Sequence, residues 1–259
     1  MVTERTKRSG FIEAASSLYP LILVAAAWEM VTRAGLVRPI FLPPLSQVIA
    51  SFPDLLGNGE ILSPLAISLG RAAAGLAIAA VAGISLGFLM ARIRWIRWLF
   101  EPLIALNFPS PKVAFLPIFI LWFGIDHMSK IALVVTTCIF PFIIAAEAGA
   151  RTVPRAQIWA AEMMGTSRFN ILARLILPAA LPSLMSGIRI AVPYALVSTF
   201  TAEMIAGGGG LGGGLVYAQR LFETTTVFAL LLLMMLTGYL IDFAVLALRR
   251  RVLHWHEES

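Results

Sequence analysis

VFALLLLMMLTGYLIDFAVLAL, from Val227 to Leu248, carries a single charged side chain, Asp242. A helix rises about 1.5 Å per residue, so roughly 20 apolar residues span the hydrocarbon of a bilayer, and this run is long enough to cross one. The composition says the same of the whole chain. It is 59% hydrophobic and 13% charged, with a mean hydropathy of +0.87, whereas soluble domains carry about a quarter charged residues. That much apolar surface exceeds what a 28.1 kDa protein can hide in its own core.

Five further apolar runs precede it: Ser17–Ala34, Leu65–Ala91, Leu99–Ile125, Lys130–Gly149 and Pro182–Ile205. The third is interrupted by Pro109-Ser110-Pro111-Lys112, which points to two half-helices or a re-entrant segment. About six spans place both termini on one side, and the basic residues choose it. Arg5, Lys7 and Arg8 precede the first span, Arg92, Arg94 and Arg97 follow the second, Arg151, Arg155, Arg168 and Arg174 follow the fourth, and Arg249 to Arg251 follow the sixth. The other side has Arg33, Arg38, Lys130 and Arg220. The positive-inside rule therefore puts both termini in the cytoplasm and reads the net charge of +6 as topology, with no nucleic-acid partner. The basic N-terminus and first run lack a convincing cleavage site, so they read as a retained helix.

Polar features stand out against this background. Gly83 and Gly87 have the spacing that lets two helix backbones meet, with a helix of this chain and a second subunit equally eligible. The proline-rich stretch Gly35–Pro64 reads as a loop, although Ser46–Leu56 is mildly amphipathic. Arg71, Lys112, Arg189 and Glu203 fall within or beside apolar runs, where an unpaired charge is costly. They are candidates for lining a solute path, and Glu203 reads equally as an ion-paired carboxylate. Gly207–Gly214, broken only by Leu211, has no following Gly-Lys-Ser/Thr and no preceding strand, so it reads as a flexible outer turn rather than a phosphate loop. Cys138 is the sole cysteine and reads as packing; His127, His254 and His256 form no metal motif. No catalytic residue, cofactor or metal is expected.

Between the fourth and fifth runs lies a segment too polar to span, from Arg151 to Pro178. Pro154 suits a helix N1 position after Val153, the helix runs to Met164, Gly165 breaks it, and Ser167 caps a second helix. Phe169, Leu172, Leu175 and Ile176 share one face of that second helix, which Pro178 and Pro182 end. Such a corner lies on headgroups or offers an apolar face to a cytoplasmic partner.

Ala160-Ala161, Gly165 and Leu175-Ile176-Leu177-Pro178 resemble the EAA loop of ABC-importer permeases, Glu-Ala-Ala-x3-Gly-x9-Ile-x-Leu-Pro. Leu177–Pro182, Leu116–Gly124 and Ala202–Ile205 resemble the nitrate, sulfonate and taurine subgroup, and the similarity covers nearly the whole chain. Trp159 stands where the pattern has Glu, and Leu175 where it has Ile.

The resemblance implies an all-α polytopic permease with the MetI-like fold of type I ABC importers, one transmembrane domain over residues 1–259 with a coupling loop at 151–178. It implies a bacterial inner-membrane location, a second permease subunit forming a homodimer, a cytoplasmic ATPase dimer and an extracytoplasmic substrate-binding protein, all set in membrane lipid. The ATPase-coupling residues it marks are Ala160, Ala161, Gly165, Leu177 and Pro178, with Trp159, Arg168 and Phe169 as contacts. The implied cargo is a small anion such as a sulfonate, taurine or nitrate; a pyrimidine or vitamin precursor, a flavin or an aromatic carboxylate is the alternative. An ion-gradient-driven carrier using Glu147 and Asp242 is the competing class, and a membrane-embedded enzyme a third.

Overall fold

A computed structural model describes residues 19–253 except Glu60, and it is helical. The basic N-terminus, His254 and His256 lie outside the described residues. Two compact units divide the chain, Met1–Ile61 with Leu215–Leu232, and Leu62–Gly214 with Leu233–Ser259.

In the first unit, α1 covers residues 19–33 and presents Leu21, Ile22, Leu23 and Val24 outward. The proline-rich stretch after it is helical where a loop was expected: α2 is Leu45–Ala50 and α3 is Phe52–Gly57. Pro53 sits in the first turn of α3, where its missing N–H costs nothing. Val48 and Leu55 are the residues these short helices bury. Trp28 fastens the stretch to α1, donating from Nε1 to the Pro43 carbonyl at 2.9 Å. Glu29 accepts from both the backbone N–H and the hydroxyl of Ser46.

The second unit is built on three long helices, α4 (Leu62–Arg92), α7 (His127–Arg151) and α10 (Leu177–Ala206). Along α4 the buried residues Ser68, Ala72, Gly75, Ala79, Gly83, Gly87 and Met90 recur every three or four positions, forming one smooth stripe. A Cβ at Gly83 would come within 2.7 Å of the Ile139 carbonyl oxygen, and one at Gly75 within 2.6 Å of Val134. The partner of the Gly83–Gly87 stripe is thus α7 of the same chain. On its other side α7 meets α10 just as closely, since a Cβ at Gly187 would lie 2.6 Å from that of Ala145. Small side chains let backbones approach where lipid supplies no hydrophobic drive, and dispersion contacts accumulate instead. Cys138 is packing, fully buried in this interface with Sγ 3.4 Å from the Ala191 carbonyl.

The proline-interrupted run is two pieces. α5 (Arg94–Asn107) and the stretch Lys112–Phe123, a 3₁₀ turn followed by α6 (Leu116–Phe123), are bent by 99°. Among the described residues four helices are long and apolar enough to cross a membrane, five if the bent pair counts as one. The described part of α1 is too short to be counted among them.

The fifth run begins earlier than Pro182. α9 (Arg168–Ile171), a π-helical turn at Leu172–Ile176 and α10 follow without a break and make one 39-residue helix, Arg168–Ala206. Pro178 and Pro182 do not end it. The wider turn immediately before Pro178 gives room for a residue that can neither donate an N–H nor tolerate a tight preceding carbonyl. The glycine run is also only half a turn. Gly207–Gly210 all have positive φ, but Leu211 begins α11 (Leu211–Arg220), so Gly212–Gly214 are helical. α12, Thr224–Val252, closes the described chain.

Candidate functional site

The corner between α7 and α10 starts with α8 (Arg155–Met163). Pro154 occupies the N-cap, not N1, and the helix ends one residue before Met164. Its ending explains the spacing of the two alanines and the glycine. The Gly165 N–H donates to Glu162 O at 2.9 Å and the Thr166 N–H to Ala161 O at 3.0 Å, the paired bonds of a Schellman cap. This cap needs a left-handed residue, and Gly165 has φ +77 with open space around a would-be Cβ. The glycine is there for its backbone rather than for close packing. Ser167 then caps α9 as expected, its Oγ accepting the Asn170 N–H at 3.3 Å.

The two faces of the corner differ in what covers them. Val153, Ile158, Ile171 and Ile176 form a buried cluster with Ala150, and Phe88, Ala91, Ala161 and Leu175 pack against it. Trp159, Met163, Met164 and Phe169 are 60%, 90%, 78% and 75% exposed. Phe169 and Leu172 were expected to share one apolar face of the second helix with Leu175 and Ile176, but both are exposed. Instead Ile171 and Ile176 point inward, because the π turn inserts a residue and resets which positions share a face. Ala160, Arg168, Leu177 and Pro178 are exposed. Met163 and Met164 belong to the uncovered face and were not singled out from sequence; the signal was two large apolar residues just ahead of the capping glycine.

The candidate path residues are not gathered in one place. Arg71 on α4 and Glu203 on α10 are buried, 2.7 Å apart, with side chains 2% and 0% exposed. Arg71 also donates to the carbonyls of Gly209 (3.0 Å) and Gly208 (2.6 Å) and to His127 Nδ1 (3.1 Å). Glu203 accepts from Ser68 Oγ at 2.8 Å and the Gly212 N–H at 3.1 Å, and Ser68 Oγ in turn accepts the Leu211 N–H at 2.9 Å. Of the two readings of Glu203, the ion pair is the one the geometry displays. Left-handed backbone at Gly208–Gly210 aims two carbonyls at the guanidinium, and a Cβ on Gly210 would collide with the Glu203 carboxylate. The glycine run is the acceptor half of a polar knot. Lys112 donates to the carbonyls of Asn107 and Ser110 across the bend between α5 and α6 and lies 5.0 Å from the Phe140 ring centre. Arg189 is exposed on α10. Glu147, a carboxylate invoked for the carrier alternative, is paired with Arg151 at 3.1 Å and Arg97 at 3.3 Å.

Among the described residues no His/Cys/Asp/Glu group has the arrangement of a metal site.

Residues 79–254 match the family described as binding-protein-dependent transport system inner membrane component. The taurine transport system permease protein TauC of Escherichia coli is 33% identical over 93% of this chain and 90% of its own. An aliphatic sulfonates transport permease protein of the same organism, SsuC, is 33% identical over 90% of this chain and 89% of its own. The formylaminopyrimidine transport permease protein ThiX of Halalkalibacterium halodurans is 29% identical over 92% and 94%. In fold, a chain of the inward-facing MetNI methionine ABC transporter superposes with a TM-score of 0.61 at 21% identity, covering 72% of this chain and 93% of that one.

Proposed function

The chain belongs to the family of binding-protein-dependent transport system inner membrane components, and from that premise we propose how it is driven and what it carries. It is a multi-pass inner-membrane permease subunit of an ABC importer with the MetI-like fold, a family that works with an ATPase and a binding protein. In our reading two copies pair, both termini are cytoplasmic, and the 151–178 corner within the single permease domain docks a separate ATPase dimer.

One observation carries this reading. The uncovered strip of Trp159, Met163, Met164 and Phe169 is backed by a buried cluster, and its last member, Phe169, stands on the helix that continues into α10. An apolar strip held rigidly from behind fits a groove on a partner, with large aromatic anchors supplying most of the affinity. Trp159, standing in place of the pattern's Glu, exchanges a carboxylate for such an anchor. Ala160, Ala161 and Gly165 form the bend, while Arg168, Leu177 and Pro178 link it to the span. ATP favours the closed ATPase pair, so closure displaces whatever is docked to it. The unbroken Arg168–Ala206 helix would pass that displacement directly to the membrane, tilting α10 and reopening the path on the opposite side.

For cargo we propose a small organosulfonate, the class named for TauC and SsuC. Arg189, exposed on α10, is the path residue best placed to favour an anion; Arg71, Glu203 and Lys112 are satisfied within the chain in this conformation. The test is uptake by proteoliposomes holding the permease, its ATPase and its binding protein. Taurine uptake that requires internal-side ATP and is uncoupled by Gly165→Val is expected. Uptake driven by an ion gradient with no ATPase present would overturn the reading.

A further inference from the structure

At the end of α4 and of α7 a groove of about 560 Å³ opens beside α8, and its lining is strongly basic. Arg92, Arg97, Arg151 and Arg155 face one carboxylate there, Glu162, with Trp159 at the edge. Two of these guanidiniums are already engaged, since Arg151 and Arg97 share Glu147 and Arg97 also meets Glu101 at 3.1 Å. Arg92 and Arg155 have no ion-pair partner among the described residues. Arg97 Nε is buried and meets Glu147 only as an ion pair at 3.3 Å, without a hydrogen bond of good geometry. The groove therefore holds more cationic donors than the chain has acceptors for, in a concave site where charge-assisted bonds are strong.

Its depth identifies the anion. Arg92 and Arg151 are the last residues of the apolar helices α4 and α7. α5 starts immediately beyond, buries none of its residues, and presents Trp95 and Trp98 at 77% and 52% exposure with Arg94 4.5 Å over the Trp98 ring. Amphipathic aromatics beside arginines at the end of a span mark the headgroup layer. Of the uncovered docking residues only Trp159 borders this groove, so an ATPase seated on Met163, Met164 and Phe169 would meet it at one edge and leave the arginines open. Planar guanidinium forks match phosphate oxygens in pairs.

We propose that this groove binds the phosphate of an anionic phospholipid headgroup, the lipid closing a cluster of arginines that the chain leaves one anion short. The binding follows from the groove alone; only its assignment to the cytoplasmic leaflet rests on the orientation proposed above. The experiment uses the full chain in nanodiscs of phosphatidylcholine with phosphatidylglycerol added, followed by gentle extraction and native mass spectrometry. One phosphatidylglycerol should stay with each wild-type chain. Retention should fall about tenfold in Arg92→Gln/Arg155→Gln and stay unchanged in Arg38→Gln/Arg220→Gln, which removes equal charge elsewhere. Arg92→Lys/Arg155→Lys keeps the charge but loses the fork, and should fall between the two; it also covers the case in which the glutamine pair fails to fold. Inorganic phosphate added to phosphatidylcholine-only discs separates the sources: phosphate bound where phosphatidylglycerol is not retained would overturn the lipid and leave free phosphate as the ligand. Equal retention by the glutamine pair, or no anion bound at all, overturns the site. Loss of ATPase binding by that pair with no lipid retained would give the groove to the protein partner instead. Failure of lipid retention leaves the importer reading intact, because ATP-driven uptake is measured separately.

Discussion

The two ends of α10 solve opposite problems. Near its C-terminus Glu203 is wholly buried, and every strong partner it needs comes from the chain itself: Arg71, Ser68 and the Gly212 N–H. Before its N-terminus the corner keeps a buried half but leaves Trp159, Met163, Met164 and Phe169 in the open. The first region is polar where burial makes polarity expensive, and so it is fully satisfied. The second is apolar where exposure makes apolarity expensive, and nothing in the chain covers it. A structure complete at one end and incomplete at the other indicates where a partner is required, and three sets of substitutions test whether that contrast is real.

The largest effect should come from opening the knot. Arg71→Ala strands a buried carboxylate, and removing one member of a buried pair costs about 3–5 kcal/mol. The thermal unfolding midpoint of the detergent-solubilised chain should drop sharply. Removing both charges in Arg71→Ala/Glu203→Ala should cost clearly less than the sum of the single changes, since the pair acts as a unit. An unchanged midpoint for Arg71→Ala would mean that water, not Arg71, satisfies Glu203.

Next comes the uncovered strip. Trp159→Ala/Phe169→Ala should leave the unfolding midpoint where it is, because both side chains project from the packed half. Association with the ATPase dimer, read by co-purification or by titration, should weaken by about 2–4 kcal/mol, the usual cost of truncating central aromatic anchors. A fall in stability with unchanged association would reverse the contrast, making the strip part of the core.

The difference between the two regions also decides what was legible in sequence. The long spans were, because a run of about 20 apolar residues has few other homes, and α7 and α12 fall within a few residues of their expected ranges. So was the bend at Gly165, since a left-handed cap advertises itself as glycine. What escaped was anything set by helix pitch or long-range pairing. The π turn at Leu172–Ile176 carries no compositional mark, yet it sets Ile176 on the face of Ile171 rather than that of Phe169, and the helix runs on through Pro178 and Pro182. Arg71 and Glu203 are 132 residues apart, and no local pattern joins them or reveals that the glycine run supplies the remaining acceptors. Small-residue spacing showed that Gly83 and Gly87 pack closely, but only the fold names α7 as their neighbour.

The smallest effect separates two uses of left-handed glycine. At Gly165 a methyl group meets nothing, so Gly165→Ala carries only the backbone penalty of a left-handed L-residue, about 1–2 kcal/mol. Asn tolerates that conformation, so Gly165→Asn should recover most of it. At Gly210 the same conformation is combined with a collision against Glu203. Gly210→Asn should therefore rescue nothing there and should destabilise at least as much as Gly210→Ala. Hydrogen exchange of the Gly165 and Thr166 amides, which hold the Schellman bonds, would report the first pair, and the unfolding midpoint the second. If Asn rescues at both positions, the crowding around Glu203 relaxes on demand, and the polar knot is as adaptable as the corner; if it rescues only at Gly165, the contrast between a closed end and an open one extends down to single backbone angles.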